Sequence, residues 1–379
     1  MTQSDVSFVD KLQRQFTRWQ LSPGTIVVAV SGGPDSVALM TGLQEVCSST
    51  RWQLIAAHVN HQLRESSVLD ETFVRKFCQD SKIELHVERV DVRRVKEQQG
   101  EGVEMAARTV RYDYLQRLAM KYKASYIATG HTADDQVETI LHRILRGTGL
   151  RGLSGIPDKR ALDPGCELIR PMLRITRDEV IRFLEKKSQN FMTDHTNHQF
   201  EYTRNRIRHD LLPKLRSEYN PQIARSLLNL ASQSESAFKT LEIQARHILE
   251  NAIKARTTTS CMMDTDILRD QSSYLLNTCF QLLWERQFWP QRDMGFEQWQ
   301  RLSRLARYRP SGEEPSAISL PGEIDARRKG PFLVIRSDNK RARRKADMQR
   351  LDPEFQLLFK RARCTHLIHA VDGEAARSV

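Results

Sequence analysis

Residues 25–36 read TIVVAVSGGPDS, and VALMTGLQEV follows at 37–46. TIVVAV is a continuous apolar, β-branched run, the pattern of a parallel strand covered on both faces. A glycine-containing turn ends the run, and the segment after it reads as a helix. The same unit then recurs: LIAAHV (54–59) precedes a helix expected near 67–80, IELHVERV (83–90) one from Glu104 to about Lys121, and SYIATG (125–130) one from about Asp134 to Leu145. Alternation on this scale predicts an α/β fold, a doubly wound parallel sheet with right-handed crossovers. Ahead of it, Phe8, Leu12, Phe16 and Trp19 recur at the spacing of a short amphipathic helix.

After roughly Pro157 the alternation fades, with one short extended piece at Leu168–Pro171 and then helical patterns; residues 221 to about 310 read as helical. Residues 317–336 hold two β-like runs around a polar, glycine-bearing centre, as a hairpin would. The expected organisation is a sheet domain over 1–217, a mainly helical domain over 218–338 ending in the hairpin, and a basic, poorly ordered tail over 339–379 that begins NKRARRKADMQR.

A chain of 379 residues predicts two or three compact units and excludes a disulfide-stapled miniprotein. With 39% hydrophobic and 28% charged residues it has enough apolar material for cores and too much charge for a membrane bundle. Lys and Arg number 59 against 47 Asp and Glu, a formal net charge of +12 that favours a polyanionic partner, RNA or DNA before a membrane surface. The six cysteines, at 47, 78, 166, 261, 279 and 364, show no zinc or redox spacing and read as thiols of a reducing compartment. MTQSDVSFVD lacks the pattern of a signal peptide, so the expected address is the cytoplasm.

Ser31-Gly32-Gly33-Pro34-Asp35-Ser36 lies between a buried strand and a helix. Unpaired N–H groups and the positive end of a helix dipole meet at such a junction, so an anion binds there without a lysine. Phosphate is the natural guest. Gly32 and Gly33 admit the ligand close to the backbone, Ser31 and Ser36 add hydroxyls, and Asp35 can hold a divalent ion against phosphates. The plainer alternative is a glycine turn with an ordinary N-cap. The Walker spacing and its Gly-Lys-Ser/Thr ending are absent, which disfavours a kinase or GTPase.

ATGHTADDQVET (128–139) follows the strand expected at 125–130, so His131, Asp134 and Asp135 fall at the same carboxyl edge as the loop. Asp134 and Glu138, four apart, share a helix face suited to a metal or an ammonium group, or simply stabilise the helix start. In AARTVRY (106–112), Arg108 and Arg111 share a face and could steady charge at a phosphorus, or form a solvated basic face. In RNRIRHDLLPKL, Ile207, Leu211 and Leu215 recur every four residues, while Arg204, Arg206 and Arg208 crowd the start of the helix, where cations oppose the dipole.

The loop resembles the PP-loop, SGGxDS, of the ATP pyrophosphatase superfamily. That resemblance implies an adenine nucleotide alpha hydrolase-like sheet and cleavage of ATP between its α- and β-phosphates. SGGPDS (31–36), HVNHQLR (58–64), AARTVRY (106–112), ATGHTADDQVET (128–139), LRGTGLRGLSGI (145–156), IRPML (169–173) and YTRNRIRHDLLPKL (202–215) together resemble one branch, the tRNA(Ile)-lysidine synthetases. The resemblance spans roughly residues 20–220 and implies a ligase. In that chemistry ATP adenylates the C2 oxygen of cytidine 34 in an isoleucine tRNA with a CAU anticodon. The ε-amine of free L-lysine then displaces AMP. Ser31 to Ser36 would hold ATP and Mg²⁺, with Asp35 on the metal. Arg108 and Arg111 would steady adenylation, while His131, Asp134, Asp135 and Glu138 would line the lysine and metal side, the choice of proton-accepting carboxylate staying open. Arg204, Arg206 and Arg208 would meet tRNA phosphates or the substrate pocket.

Longer members of that branch carry a further C-terminal tRNA-gripping domain that the residues after the hairpin do not resemble, so tRNA binding is expected to lean on the middle domain and the basic tail. The fold is compatible with a homodimer, and no membrane partner is implied. Two other functions are weighed: a tRNA thiolase of the same superfamily, disfavoured by the lack of paired cysteines, and a catalytically silent tRNA-binding protein, disfavoured by the intact loop, acids and arginines.

Overall fold

The computed structural model describes residues 7–48, 51–63, 67–99, 102–162, 165–193, 203–307 and 316–338. Arg64, Tyr202, Cys364 and the basic tail fall outside them. Chain contacts divide the protein into two compact units, Met1–Glu235 and Ser236–Val379.

The first unit opens with α1 (Phe8–Arg18), started by a capping box between Ser7 and Asp10, and buries Phe8, Leu12 and Phe16. Then follow β1 (Thr25–Ala29), α2 (Pro34–Cys47), β2 (Gln53–Asn60), α3 (Ser67–Asp80), β3 (Glu84–Arg89), α4 (Val92–Gln99), α5 (Val103–Tyr122), β4 (Tyr126–Ala128), α6 (Ala133–Leu145), α7 (Leu150–Leu153), β5 (Lys159–Ala161), β6 (Glu167–Ile169) and α8 (Arg177–Lys186). The strands form one sheet in the order β3-β2-β1-β4-β6-β5. β1 pairs in parallel with β2 and with β4, Val28 facing Ala56 on one side and Ala128 on the other. β2–β3 and β4–β6 are also parallel, and only the edge pair β5–β6 is antiparallel.

Residues alternating along β1 explain the unbroken apolar run. Ile26 and Val28 enter a core built with α1, α2 and α8, whereas Val27 enters a second core with Tyr112, Leu115 and Leu118 of α5. Because the chain steps outward from β1 to β2 and β3, then returns to place β4 on the other side, the winding direction reverses between β1 and β4. A cleft at the carboxyl ends of these two strands is the geometric result, and ligands of such sheets sit there.

Beyond α8 the first unit ends in a broken helix: α9 (Thr203–Arg206), a π turn at Ile207–Leu211, α10 (Leu212–Lys214) and a second π turn at Leu215–Tyr219. Pro213 has no N–H to give to the carbonyl four residues earlier, which favours the wider winding around it. Ile207 is buried against Val137, Ile140 and Leu141 of α6, with Leu211 and Leu215 packed at the margin. The next helix, α11 (Ile223–Ala252), adds Leu227 and Ala231 to that cluster and contains the division between the units.

The second unit continues with β7 (Ile253–Arg256), β8 (Ser260–Asp264), α12 (Thr265–Arg269), α13 (Ser273–Arg286), α14 (Phe296–Arg307), β9 (Ala317–Leu320), β10 (Ile324–Lys329) and β11 (Phe332–Ser337). Trp284 centres its core, with Trp289 and Trp299 edge-on at 4.8 and 5.2 Å between ring centroids. Its sheet, ordered β7-β8-β11-β10-β9 with every pairing antiparallel, is larger than the expected hairpin. The first β-like run at 317–336 splits into β9 and β10 at Pro321–Gly322, where Gly322 has φ +82°. β7 and β8 lie inside the stretch read as helical, because the helical periodicity of α11 runs directly into them.

Candidate active site

The phosphate loop takes the shape its glycines allow. Gly32 has φ +92°, a conformation that L side chains rarely adopt, and Gly33 is the N-cap of α2 with Pro34 in its first turn. Inside the loop the Ser36 hydroxyl accepts from the Ser31 N–H at 3.1 Å and donates to the Gly33 carbonyl at 2.9 Å. Gly130, after β4, lies so close that a Cβ there would come within 2.9 Å of the Asp35 carbonyl oxygen. The loop and the β4–α6 turn therefore share one floor.

A cavity of about 660 Å³ opens above that floor. Its wall includes Ser31, Gly33, Asp35 and Ser36 from the loop, Arg108 and Arg111 from α5, His131 and Asp135 from the β4–α6 turn, and Arg204 from α9. Gly32, Pro34, Asp134, Glu138, Arg206 and Arg208 are not part of the wall.

The three acids of α6 face different partners. Asp134 accepts from the Arg177 N–H at 2.7 Å and so caps the start of α8. Asp135 uses one oxygen in a capping box with Thr132, taking its N–H at 2.9 Å, and offers the other to Arg204 at 3.0 Å and Arg208 at 3.7 Å. Glu138, 1% exposed, accepts from Arg204 Nε at 3.0 Å and from both Nε and Nη2 of Arg208. Asp134 and Glu138, expected to work together, thus serve separate contacts, whereas Arg204 and Arg208 belong to one partly buried ion-pair network with Asp135 and Glu138. Arg206, on another side of the helix, is exposed.

Charge in the cavity follows from burial. Asp35 is pushed up to about 6, first by burial; Arg177 at 3.8 Å and Arg208 pull it back, while Asp135 and Asp134 raise it further. Its Oδ1 is buried with no hydrogen-bond partner among the described residues. His131 is pushed down to about 3, mainly by burial, against the pull of Asp135 and with Arg170, Arg111 and Arg204 adding to the fall. His61 falls to about 4 for the same leading reason, with Arg111 and His58 contributing. The histidines at this edge are neutral at pH 7. Among the described residues no cluster of three or more His, Cys, Asp or Glu is arranged for a metal, and no helix is long and apolar enough to cross a membrane.

A sequence profile of the PP-loop domain matches residues 5–215, more than half of the chain. The chain belongs to the PP-loop family. Among the curated relatives of this PP-loop protein, the bifunctional protein TilS/HprT of Listeria monocytogenes serotype 4b is 34% identical over 308 residues, covering 81% of this chain and 47% of the relative. The tRNA(Ile)-lysidine synthase of Bacteroides thetaiotaomicron is 41% identical, covering 55% of this chain and 46% of the relative. That of Bacillus cereus strain ATCC 14579 is 42% identical, with 52% and 42% covered. The PP-loop protein thus spans about half the length of the curated relatives it matches. Among solved structures, the U34-tRNA thiolase NcsA of Methanococcus maripaludis with its [4Fe-4S] cluster superposes with TM-score 0.50 at 18% identity, covering 59% of this chain and 77% of that one, a likeness of fold alone.

Sequence reasoning gave no role to several residues that shape the PP-loop site. His58, 3% exposed, closes the wall at the end of β2, held by Nδ1 on the Val30 carbonyl at 2.8 Å. Asn60 anchors the β2–α3 turn through Glu71 at 3.0 Å, and Glu71 is itself drawn down to about 2, chiefly by Arg89. Both lie at the carboxyl edge of a strand, the placement that singled out His131, so the signal was present in HVNHQLR. Arg170 had that signal too, directly after β6 in IRPML, whereas Arg177 had none, since only the fold brings it to Asp35.

Proposed function

We propose that this PP-loop protein is a tRNA(Ile)-lysidine synthase, joining free L-lysine to C2 of the wobble cytidine in the CAU anticodon at the expense of ATP. The observation that carries this reading is the single crevice holding the phosphate loop, two α5 arginines and the acid and histidine of the β4–α6 turn. The names of the relatives support it, and they extend beyond the matched part, so substrate and activity rest on the proposal.

In the first step the loop amides and the α2 dipole would bind the β- and γ-phosphates that leave as pyrophosphate. The cytosine C2 oxygen would attack the α-phosphorus, with the Arg111 and Arg108 guanidinium groups stabilising the charge that develops there. Adenylation converts a carbonyl oxygen into a leaving group, so the ε-amine of lysine can then attack C2 and expel AMP. Of the three α6 acids, Asp135 alone borders the cavity, so it would be the one to meet the ammonium group of lysine. Both its oxygens already serve Thr132, Arg204 and Arg208, so the choice of proton-accepting group stays open. Neutral His131 would neither repel an ammonium group nor compete for its proton. Mg²⁺ fits the unpaired oxygen of Asp35, because this ion binds through one or two carboxylates plus phosphates, and its charge would neutralise the phosphates.

The test is mass analysis of the nucleosides of CAU-anticodon tRNA after incubation with ATP, Mg²⁺ and lysine, with AMP and pyrophosphate counted beside it. Lysidine formed only when lysine is present supports the proposal. Turnover with sulfide in place of lysine selects a thiolase, against which stands the lack of a described cysteine in the cavity wall. No ATP consumption selects a silent binder.

A further inference from the structure

Tyr112 of α5 collects positive charge from three elements of the sheet domain. The guanidinium carbons of Arg108, Arg111 and Arg160 stand 5.0, 5.6 and 5.6 Å from its ring centroid. Arg170, directly after β6, is 3% exposed, donates to the Pro157 carbonyl at 2.6 Å, and keeps its Nε without a partner among the described residues. It also acts on the Tyr112 phenol, without the alignment of a hydrogen bond. Burial lowers the proton affinity of Arg170; Tyr112 opposes this, Arg160 and Arg108 reinforce it, and no carboxylate is among these influences. No described carboxylate forms an ion pair with Arg108, Arg160 or Arg170.

Packing alone does not account for such a group. An exposed cation–π contact contributes about 0.5–1 kcal/mol, little against the repulsion of neighbouring guanidinium groups and the desolvation of a buried one. Arg170 is the buried member of the group, while Arg108 and Arg160 are exposed. Since a buried charge is ordinarily paired, a ligand anion at this group would supply the counter-charge that no described carboxylate gives Arg170. Its class follows from position. Arg111 borders the cavity, while Arg160 on β5 is exposed and outside its wall. The row therefore leads from the cavity out along the carboxyl edge over β6 and β5, away from β2 and beyond the loop that would take the phosphates of ATP. Planar guanidinium groups with several N–H donors match phosphate oxygens two at a time.

We propose that Arg160 and Arg170, which continue outward around Tyr112 from Arg108 and Arg111 of the cavity wall, form a phosphodiester-binding patch that grips RNA backbone phosphates beside the nucleotide entering the cavity. The patch rests on the reading of the protein as a tRNA-modifying enzyme, and its test does not need lysidine to form. Binding of a CAU anticodon stem-loop to the full chain is measured by fluorescence anisotropy between 50 and 200 mM salt, with ATP affinity measured by calorimetry on the same samples. Exposed Arg160 is the position to change, since it lies outside the buried cores. Arg160→Ala is expected to weaken RNA binding about tenfold, to reduce the slope of log affinity against log salt by about one, and to leave ATP affinity unchanged. Arg160→Lys is expected to restore the slope. An unchanged slope in Arg160→Ala, or weaker ATP binding with RNA binding intact, overturns the patch. Loss of lysidine synthesis as an activity would leave that comparison untouched.

Discussion

Asp35→Asn is expected to make the protein more stable and inactive at once. Burial lifts the Asp35 carboxyl from 3.8 to about 6 in the folded chain. At about 1.4 kcal/mol for each tenfold change in proton affinity, ionising it there costs roughly 3 kcal/mol more than in the unfolded chain. With 26% of the side chain exposed, most of that figure stands. Because the folded-state value is the higher one, the favourable contribution is complete below about pH 4 and is lost as the pH rises through 6. Asparagine keeps the shape without the charge, so the variant should exceed wild type by about 3 kcal/mol at pH 7.5, by about half of that at pH 5, and by almost nothing at pH 3. Urea unfolding of both proteins at the three pH values measures the gap, and pyrophosphate release measures the lost turnover. A variant no more stable than wild type at pH 7.5, or a gap that stays constant with pH, refutes the argument.

The same acid sets the expected pH profile: kcat/KM should rise with pH through about 6 as Asp35 ionises, and His131→Asn should leave that limb in place, since His131 stays neutral above about 3. A limb that disappears in the His131 variant assigns it to the wrong group. Gly32→Ala forces a side chain to φ +92°; its Cβ would meet Val74, Phe73 and Met192 at ordinary distances of 3.4 to 3.6 Å, so backbone strain of about 1–2 kcal/mol is the expected loss in denaturant, with weaker ATP binding in calorimetry. Glu138→Gln leaves Arg204 and Arg208 without their buried acid; these side chains are 38% and 29% exposed, so water recovers part of the charge and the expected destabilisation is about 2 kcal/mol rather than the 3–5 of a fully buried pair, with AMP release reduced. Unchanged melting and turnover would mean the network does not hold the arginines in place.

The sheet was legible where burial leaves a mark on the chain. β1, β2 and β4 are largely apolar because both faces are covered, whereas the edge strand β3 is only half-buried. α3 at Ser67–Asp80, α5 at Val103–Tyr122 and α6 at Ala133–Leu145 sit within a residue or so of their expected limits, while α2 begins at Pro34 rather than Val37 and α4 at Val92–Gln99 was not expected. β7 and β8 left no such mark, since a helical pattern runs straight into a short strand. At the site, the loop was readable because a strand, two glycines and a helix start must give one backbone shape. Fourfold spacing put Asp134 and Glu138 on one face, yet spacing says nothing of what neighbouring elements offer. The N-terminus of α8 takes the first, and arginines 66 and 70 residues away in sequence take the second. Arg160 and Arg170 are likewise brought to Tyr112 by strand pairing rather than by any local pattern.

Gly130 has one more implication. Backbone lies against backbone between the β4–α6 turn and Asp35, so any side chain at residue 130 would force the phosphate loop away from the turn that carries His131 and Asp135. Under the proposed function, that glycine would be the spacer that keeps the nucleotide end and the amine-receiving end of the crevice in a single frame.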